Sequence, residues 1–157
     1  MIFVTLGTQA FPFDRLLEGL DSVSGEELVI QGGTSTFRPK TASWFDFLEL
    51  PQLVEYVRKA RVVVSHAGVG SVMTVVAEGK RPVVVPRVQR LGEAVDDHQV
   101  PFARRAASAG LVTLVEDAAA LAAALGETPA PPHVMQGAGT LVDDLRSYLR
   151  ELAGYSR

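Results

Sequence analysis

The chain has 157 residues, 47% of them hydrophobic and 21% charged, with a formal net charge of −3 and no cysteine. This is enough apolar material for one buried core, too much for a disordered chain, and the wrong sign of charge for a nucleic-acid-binding domain. Without cysteine there is no disulfide framework, thiolate metal site or cysteine nucleophile, and the composition suits a reducing cytosol.

The opening run Met1-Ile2-Phe3-Val4-Thr5-Leu6-Gly7 is too short for a signal peptide and lacks its basic flank. No stretch approaches the roughly 20 apolar residues of a membrane helix, so a soluble, cytoplasmic chain is expected, with any membrane contact made through a partner. Short runs rich in Val, Ile and Leu predict strands at Ile2–Leu6, Glu27–Gln31, Arg61–Ser65, Pro82–Pro86 and Leu111–Val115, with a further short one within Ser43–Leu48. The runs Val62-Val63-Val64 and Val83-Val84-Val85 do not alternate with polar residues, as expected of parallel strands covered on both faces. Between the strands, helical spacing recurs. It joins Phe13, Leu16, Leu17, Leu20 and Val23, with Pro12 in the first turn; Leu53, Val54 and Val57; and Val72, Val75 and Val76 up to Gly79. A fourth helix is predicted from about Asp96 to Ala109, an alanine-rich one over Ala118–Leu125, and a C-terminal one over about 140–152 after the loop holding Pro129, Pro131 and Pro132. The alternation predicts a single α/β domain over 1–157, a Rossmann-like doubly wound parallel sheet.

In such a sheet, ligands bind beyond the carboxyl ends of the strands, where the strand order reverses. Four post-strand segments carry candidate chemistry. Ser65-His66-Ala67-Gly68-Val69-Gly70-Ser71 leaves a buried strand and opens a helix, so its free amides form an anion site to which His66 and Ser71 add donors. It is neither a P-loop nor a full dinucleotide fingerprint, because Met73 stands where the third glycine belongs. Pro86 to Gln99 places Arg87, Arg90, His98 and Gln99 after the next strand, equipment for reading sugar hydroxyls, with Asp96 or Asp97 expected to cap the following helix. Arg87 and Arg90 either pair with a donor carboxylate or form a solvated basic loop. Gly7-Thr8-Gln9 follows the first strand, with Phe11 either a partner anchor or a core residue. Gln31-Gly32-Gly33-Thr34 reads as a glycine turn.

Together, Val4–Gln9 with Phe11–Leu16, Ser65–Ser71, and Pro86-Arg87 with Gly92-Glu93 and Asp97-His98-Gln99 resemble the C-terminal domain of family 28 glycosyltransferases. Within that family the likeness is to the small catalytic subunit of two-component exopolysaccharide glycosyltransferases and of the dolichol-linked N-acetylglucosamine transferase. The resemblance implies the donor-binding half of a GT-B enzyme: a UDP-sugar-dependent inverting glycosyltransferase subunit that transfers a hexose, hexuronic acid or N-acetylhexosamine. It implies a lipid-linked saccharide acceptor, a membrane-associated acceptor-binding subunit, a location at the inner membrane face through that partner, and no metal or other cofactor. Substrate-binding roles carry over to Gly7, Thr8, Gln9, His66, Gly68, Val69, Gly70, Ser71, Arg87, His98 and Gln99, and the Phe47–Leu50 stretch falls near the uracil. Where many members hold the ribose with a glutamate, this chain has Thr74, and either Thr74 or Glu78 takes that contact. The catalytic base is Asp14, His66 or a carboxylate of the partner. The alternative is a non-catalytic nucleotide-sugar-binding or regulatory module.

Overall fold

The structure, a computed structural model, describes residues 1–132, and the helix expected over about 140–152 lies outside them. Six parallel strands form one sheet in the order β3-β2-β1-β4-β5-β6: β1 (Ile2–Thr5), β2 (Leu28–Gln31), β3 (Ala42–Phe45), β4 (Val62–His66), β5 (Val83–Val85) and β6 (Thr113–Leu114). The helices between them are α1 (Asp14–Glu18), α2 (Leu50–Lys59), α3 (Val69–Ala77) and α4 (Gln99–Ser108), and α5 (Leu121–Ala124) follows β6.

The valine runs are apolar throughout because each strand has two buried faces. Val62, Val64, Val83 and Val85 pack with Leu16, Leu17 and Leu20 of the α1 segment and Leu121 of α5. On the other face Val63 packs with Val57 and Val75, and Val84 with Val72, Phe102 and Ala103. Strand order reverses at β1, whose neighbours are β2 and β4, so the chain segments leaving β1 and β4 part there and open a crevice.

Three boundaries differ from expectation. The first helix is five residues long and begins at Asp14, so Pro12 precedes it and Phe13 is its N-cap. Beyond Glu18 the chain continues in i→i−3 turns (Leu20 N to Leu17 O, 3.0 Å; Val23 N to Leu20 O, 2.9 Å). Gly19 there lies against the Ala118 carbonyl, where no Cβ would fit. The fourth helix starts at Gln99 rather than near Asp96, and neither aspartate caps it. The Asp96 carboxylate turns back to accept from the His98 amide (3.1 Å) and meets His98 Nδ1, while Asp97 accepts from the Gln89 amide (2.7 Å). α2, by contrast, opens on a full capping box, with Gln52 reaching back to the Glu49 amide.

Candidate functional site

An open cleft of about 320 Å³ lies at the reversal point. Its floor is built by Gln31, which is 2% exposed and makes four hydrogen bonds. The side chain accepts from Thr5 Oγ1 (2.9 Å) and the Gly7 amide (3.1 Å) and donates to the Gly7 and Asp46 carbonyls (3.0 Å each). It thereby wraps Gly7, whose φ of +73° requires glycine. From the sequence, Gln31 is the last residue of a strand and the first of a glycine turn, with nothing to mark this role.

One wall is the start of α3. Gly68 is the N-cap and has no side-chain cap, so the first-turn amides up to Ser71 stay unpartnered by the helix and face the cleft with the Ser71 side chain. Thr8 and Gln9 line the opposite lip, and Phe47, Leu48, Leu50 and Leu53 make an apolar wall. The structure thus brings Gly7, Thr8, Gln9, His66, Gly68, Gly70, Ser71 and Thr74 to one cleft, with the Phe47–Leu50 stretch beside them. Thr74 donates to the Gly70 carbonyl (2.9 Å). Glu78 lies outside the cleft, joined bidentately to Arg58 (2.7 and 3.2 Å), and Val69 points into the α3–α4 core.

His66 is the one ionisable side chain lining the cleft among the described residues. Its ring fits between Gly7 and Gly68: a Cβ on Gly7 would stand 2.7 Å from Cε1, and one on Gly68 would overlap Nε2. Nδ1 is buried without a hydrogen-bond partner. Burial first, and the Arg87 charge second, lower the His66 pKa to about 4, against a weaker upward pull from the Thr5 backbone. At neutral pH the ring is uncharged and has one N–H to donate. Between pH 6.5 and about 4 the unfolded chain therefore binds a proton that the native chain does not. Stability is fully present above that window and falls on acidification through it, by about 3 kcal/mol at about 1.36 kcal/mol per pKa unit. Urea titrations at several pH values should show this slope, and His66→Asn should flatten it.

The other candidates sit elsewhere. Asp14 accepts from Thr36 Oγ1 (2.6 Å) and from the Thr36 and Phe37 amides (2.8 and 3.1 Å). Burial raises its pKa, but these three bonds together outweigh it and leave the carboxyl lowered, a loop anchor poorly suited to take a proton. Arg87 is 1% exposed and neither solvated nor in the cleft. Gln99, 1% exposed, accepts from the Arg87 amide (3.2 Å), its Nε2 buried without a partner, and His98 sits outside the cleft against Asp96. Among the described residues no three His, Asp or Glu side chains converge as a metal site, and no helix is long and apolar enough to cross a membrane.

Fold and cleft define a Rossmann-like domain with its ligand crevice where the strand order reverses. Residues 1–136 match the glycosyltransferase family 28 C-terminal domain, and the chain belongs to that family. The UDP-N-acetylglucosamine transferase subunit ALG13 of Homo sapiens is 32% identical over 118 residues, which are 66% of this chain and 10% of that protein. The chain thus spans about a tenth of the length of this relative. Two solved structures share the fold at 17% identity: the calicheamicin glycosyltransferase CalG4 (TM-score 0.60; 97% of this chain, 44% of that one) and the glycotransferase of kitacinnamycin (TM-score 0.58; 85% and 36%). The match is to the C-terminal half of a GT-B glycosyltransferase.

Proposed function

We propose that this chain is the donor-binding, catalytic subunit of a UDP-sugar-dependent inverting glycosyltransferase. The observation that carries the reading is the pairing, in one cleft, of an uncapped helix start with an apolar wall. The Gly68–Ser71 amides and the Ser71 hydroxyl suit a diphosphate, and Phe47 and Leu50 suit the flat face of a base. The family relation and the UDP-sugar transferase subunit among its relatives supply the donor class.

In this reading the acceptor oxygen attacks the anomeric carbon from the face opposite the bond to UDP. As that bond breaks, negative charge grows on the β-phosphate. The α3 amides and dipole, with a neutral His66 N–H, meet it without reorganising. No carboxylate lines the cleft among the described residues, Asp14 is engaged elsewhere, and burial holds the His66 pKa near 4, making it a weak base, so the proton of the acceptor hydroxyl is assigned to a carboxylate of an acceptor-binding subunit. That subunit is membrane-associated, holds a lipid-linked saccharide, and closes the open cleft. Alignment of the two reactants is worth about 7–11 kcal/mol of barrier, which an open cleft does not supply.

Calorimetry with EDTA present should show UDP binding and no response to NAD, and Ser71→Ala should weaken UDP by about 1–3 kcal/mol, as a bond to a charged phosphate does. A strict requirement for magnesium or manganese defeats the metal-free reading. Turnover with lipid-linked acceptors should appear only when the partner is added. UDP binding without turnover under any partner would instead favour the regulatory module.

A further inference from the structure

The segment after β1 has an unusual attachment. From Gly7 to Pro12 it makes no backbone–backbone hydrogen bond among the described residues. It hangs on side chains from other segments: Gln31 at Gly7, Thr34 at the Gln9 carbonyl (3.4 Å), and Arg87 further along. The Arg87 guanidinium donates to the Leu6 carbonyl (3.0 Å), the Phe11 carbonyl (2.8 Å) and, across its own loop, the Glu93 carbonyl (3.0 Å). It stacks at 4.6 Å on Phe13, which is fully buried. Arg15 returns the grip, donating from α1 to the Pro86 carbonyl (2.9 Å) and to Glu93 (2.8 and 2.9 Å). Both guanidiniums thus lie over the Phe13 ring, Arg15 at 5.4 Å, with Arg87 fastening the segment ahead of α1 and Arg15 fastening the loop that carries Arg87.

We propose that Arg87 is the positioning residue of the donor cleft, its forked grip on Leu6 and Phe11 holding Gly7, Thr8 and Gln9 as the wall against which the donor diphosphate and sugar seat. The inference rests on the UDP-sugar reading of the cleft and goes beyond it, since Arg87 touches no ligand itself. A planar fork with several fixed donors suits this task, and a lysine ammonium, a point charge on a flexible stem, cannot reach the same carbonyls together. The guanidinium stays charged at neutral pH, although burial lowers its pKa to about 10. Its charge already registers at His66 on the cleft floor, so the two share one electrostatic neighbourhood.

The test is a UDP titration of the isotope-labelled chain followed by NMR. The buried Arg87 Nε–H has no hydrogen-bond partner and gives a sheltered reporter signal. It should shift with the same Kd as the amides of Thr8 and Gln9. Arg87→Lys, checked for folding by circular dichroism, should weaken UDP at least tenfold and speed hydrogen exchange at Thr8–Phe11, leaving α3 amide exchange unchanged. If the Gly68–Ser71 amides respond to UDP while the wild-type Arg87 signal stays still, the positioning role is overturned and the donor site survives. A lysine variant with wild-type affinity and an unchanged Thr8–Phe11 segment overturns it equally. If UDP perturbs no cleft amide, the donor reading and this proposal fall together. The wild-type titration decides the matter even if the lysine variant fails to fold.

Discussion

Gly68→Ala should abolish useful donor binding, weakening UDP by about a hundredfold or more, at about 1.4 kcal/mol per tenfold. The backbone is not the reason: at φ −78° and ψ 130° any residue is comfortable. The added methyl overlaps His66 Nε2, and the ring has nowhere to retreat, because Gly7 closes its other side. Either the ring is driven into the cleft or the start of α3 is displaced, and both spoil the anion site. Overpacking of this kind also costs about 1–3 kcal/mol of stability. Calorimetry with UDP and a urea midpoint read the two effects separately. Adding His66→Ala should recover much of the stability loss, a non-additivity that a purely local backbone effect would not produce.

Gln31→Leu should destabilise the fold by about 3 kcal/mol, since buried groups left unpaired each cost about 1–3 kcal/mol and solvent reaches some of these. The leucine fills comparable space but leaves Thr5 Oγ1, the Gly7 amide and carbonyl, and the Asp46 carbonyl without their partner. A lowered urea midpoint with an unchanged slope is the expected signature. Gln31→Glu should cost at least as much at neutral pH, because a carboxylate oxygen would then face the Gly7 and Asp46 carbonyls where an N–H now donates.

These residues mark what the sequence reveals and what it hides. The valine triplets announce a covered parallel sheet because both of their faces must be apolar, and Gly68-Val69-Gly70-Ser71 is conspicuous because it comes just past the strand that one of them forms. Position after a strand at the reversal point puts Gly7, Thr8, Gln9 and His66 beside one cleft. Thr74 entered through the family resemblance, as did the apolar wall at Phe47–Leu50, which has no motif of its own. The burial of Arg87 is hidden because a charged residue in a polar loop is ordinarily solvated. Its partners are carbonyls of residues 6, 11 and 93, and carbonyls leave no mark in a sequence. The short α1 was equally hidden, since it depends on Gly19 meeting the backbone of Ala118 far along the chain. The aspartates before α4 satisfied a capping pattern locally and were drawn instead to the His98 and Gln89 amides.

The margins of the sheet bear on how another protein can engage this one. β3 on one side is four residues long and β6 on the other only two. A foreign strand laid along either side would find few free backbone groups to zip against, so sheet extension, the route by which many proteins recruit peptides or aggregate, has little purchase here. Among the described residues, side-chain surface is more available around the crevice mouth, where Phe47 and Leu50 stand more than half exposed at 58% and 63%. Among the described residues, short margins and an open crevice mouth would favour a partner that docks end-on over one that extends the sheet.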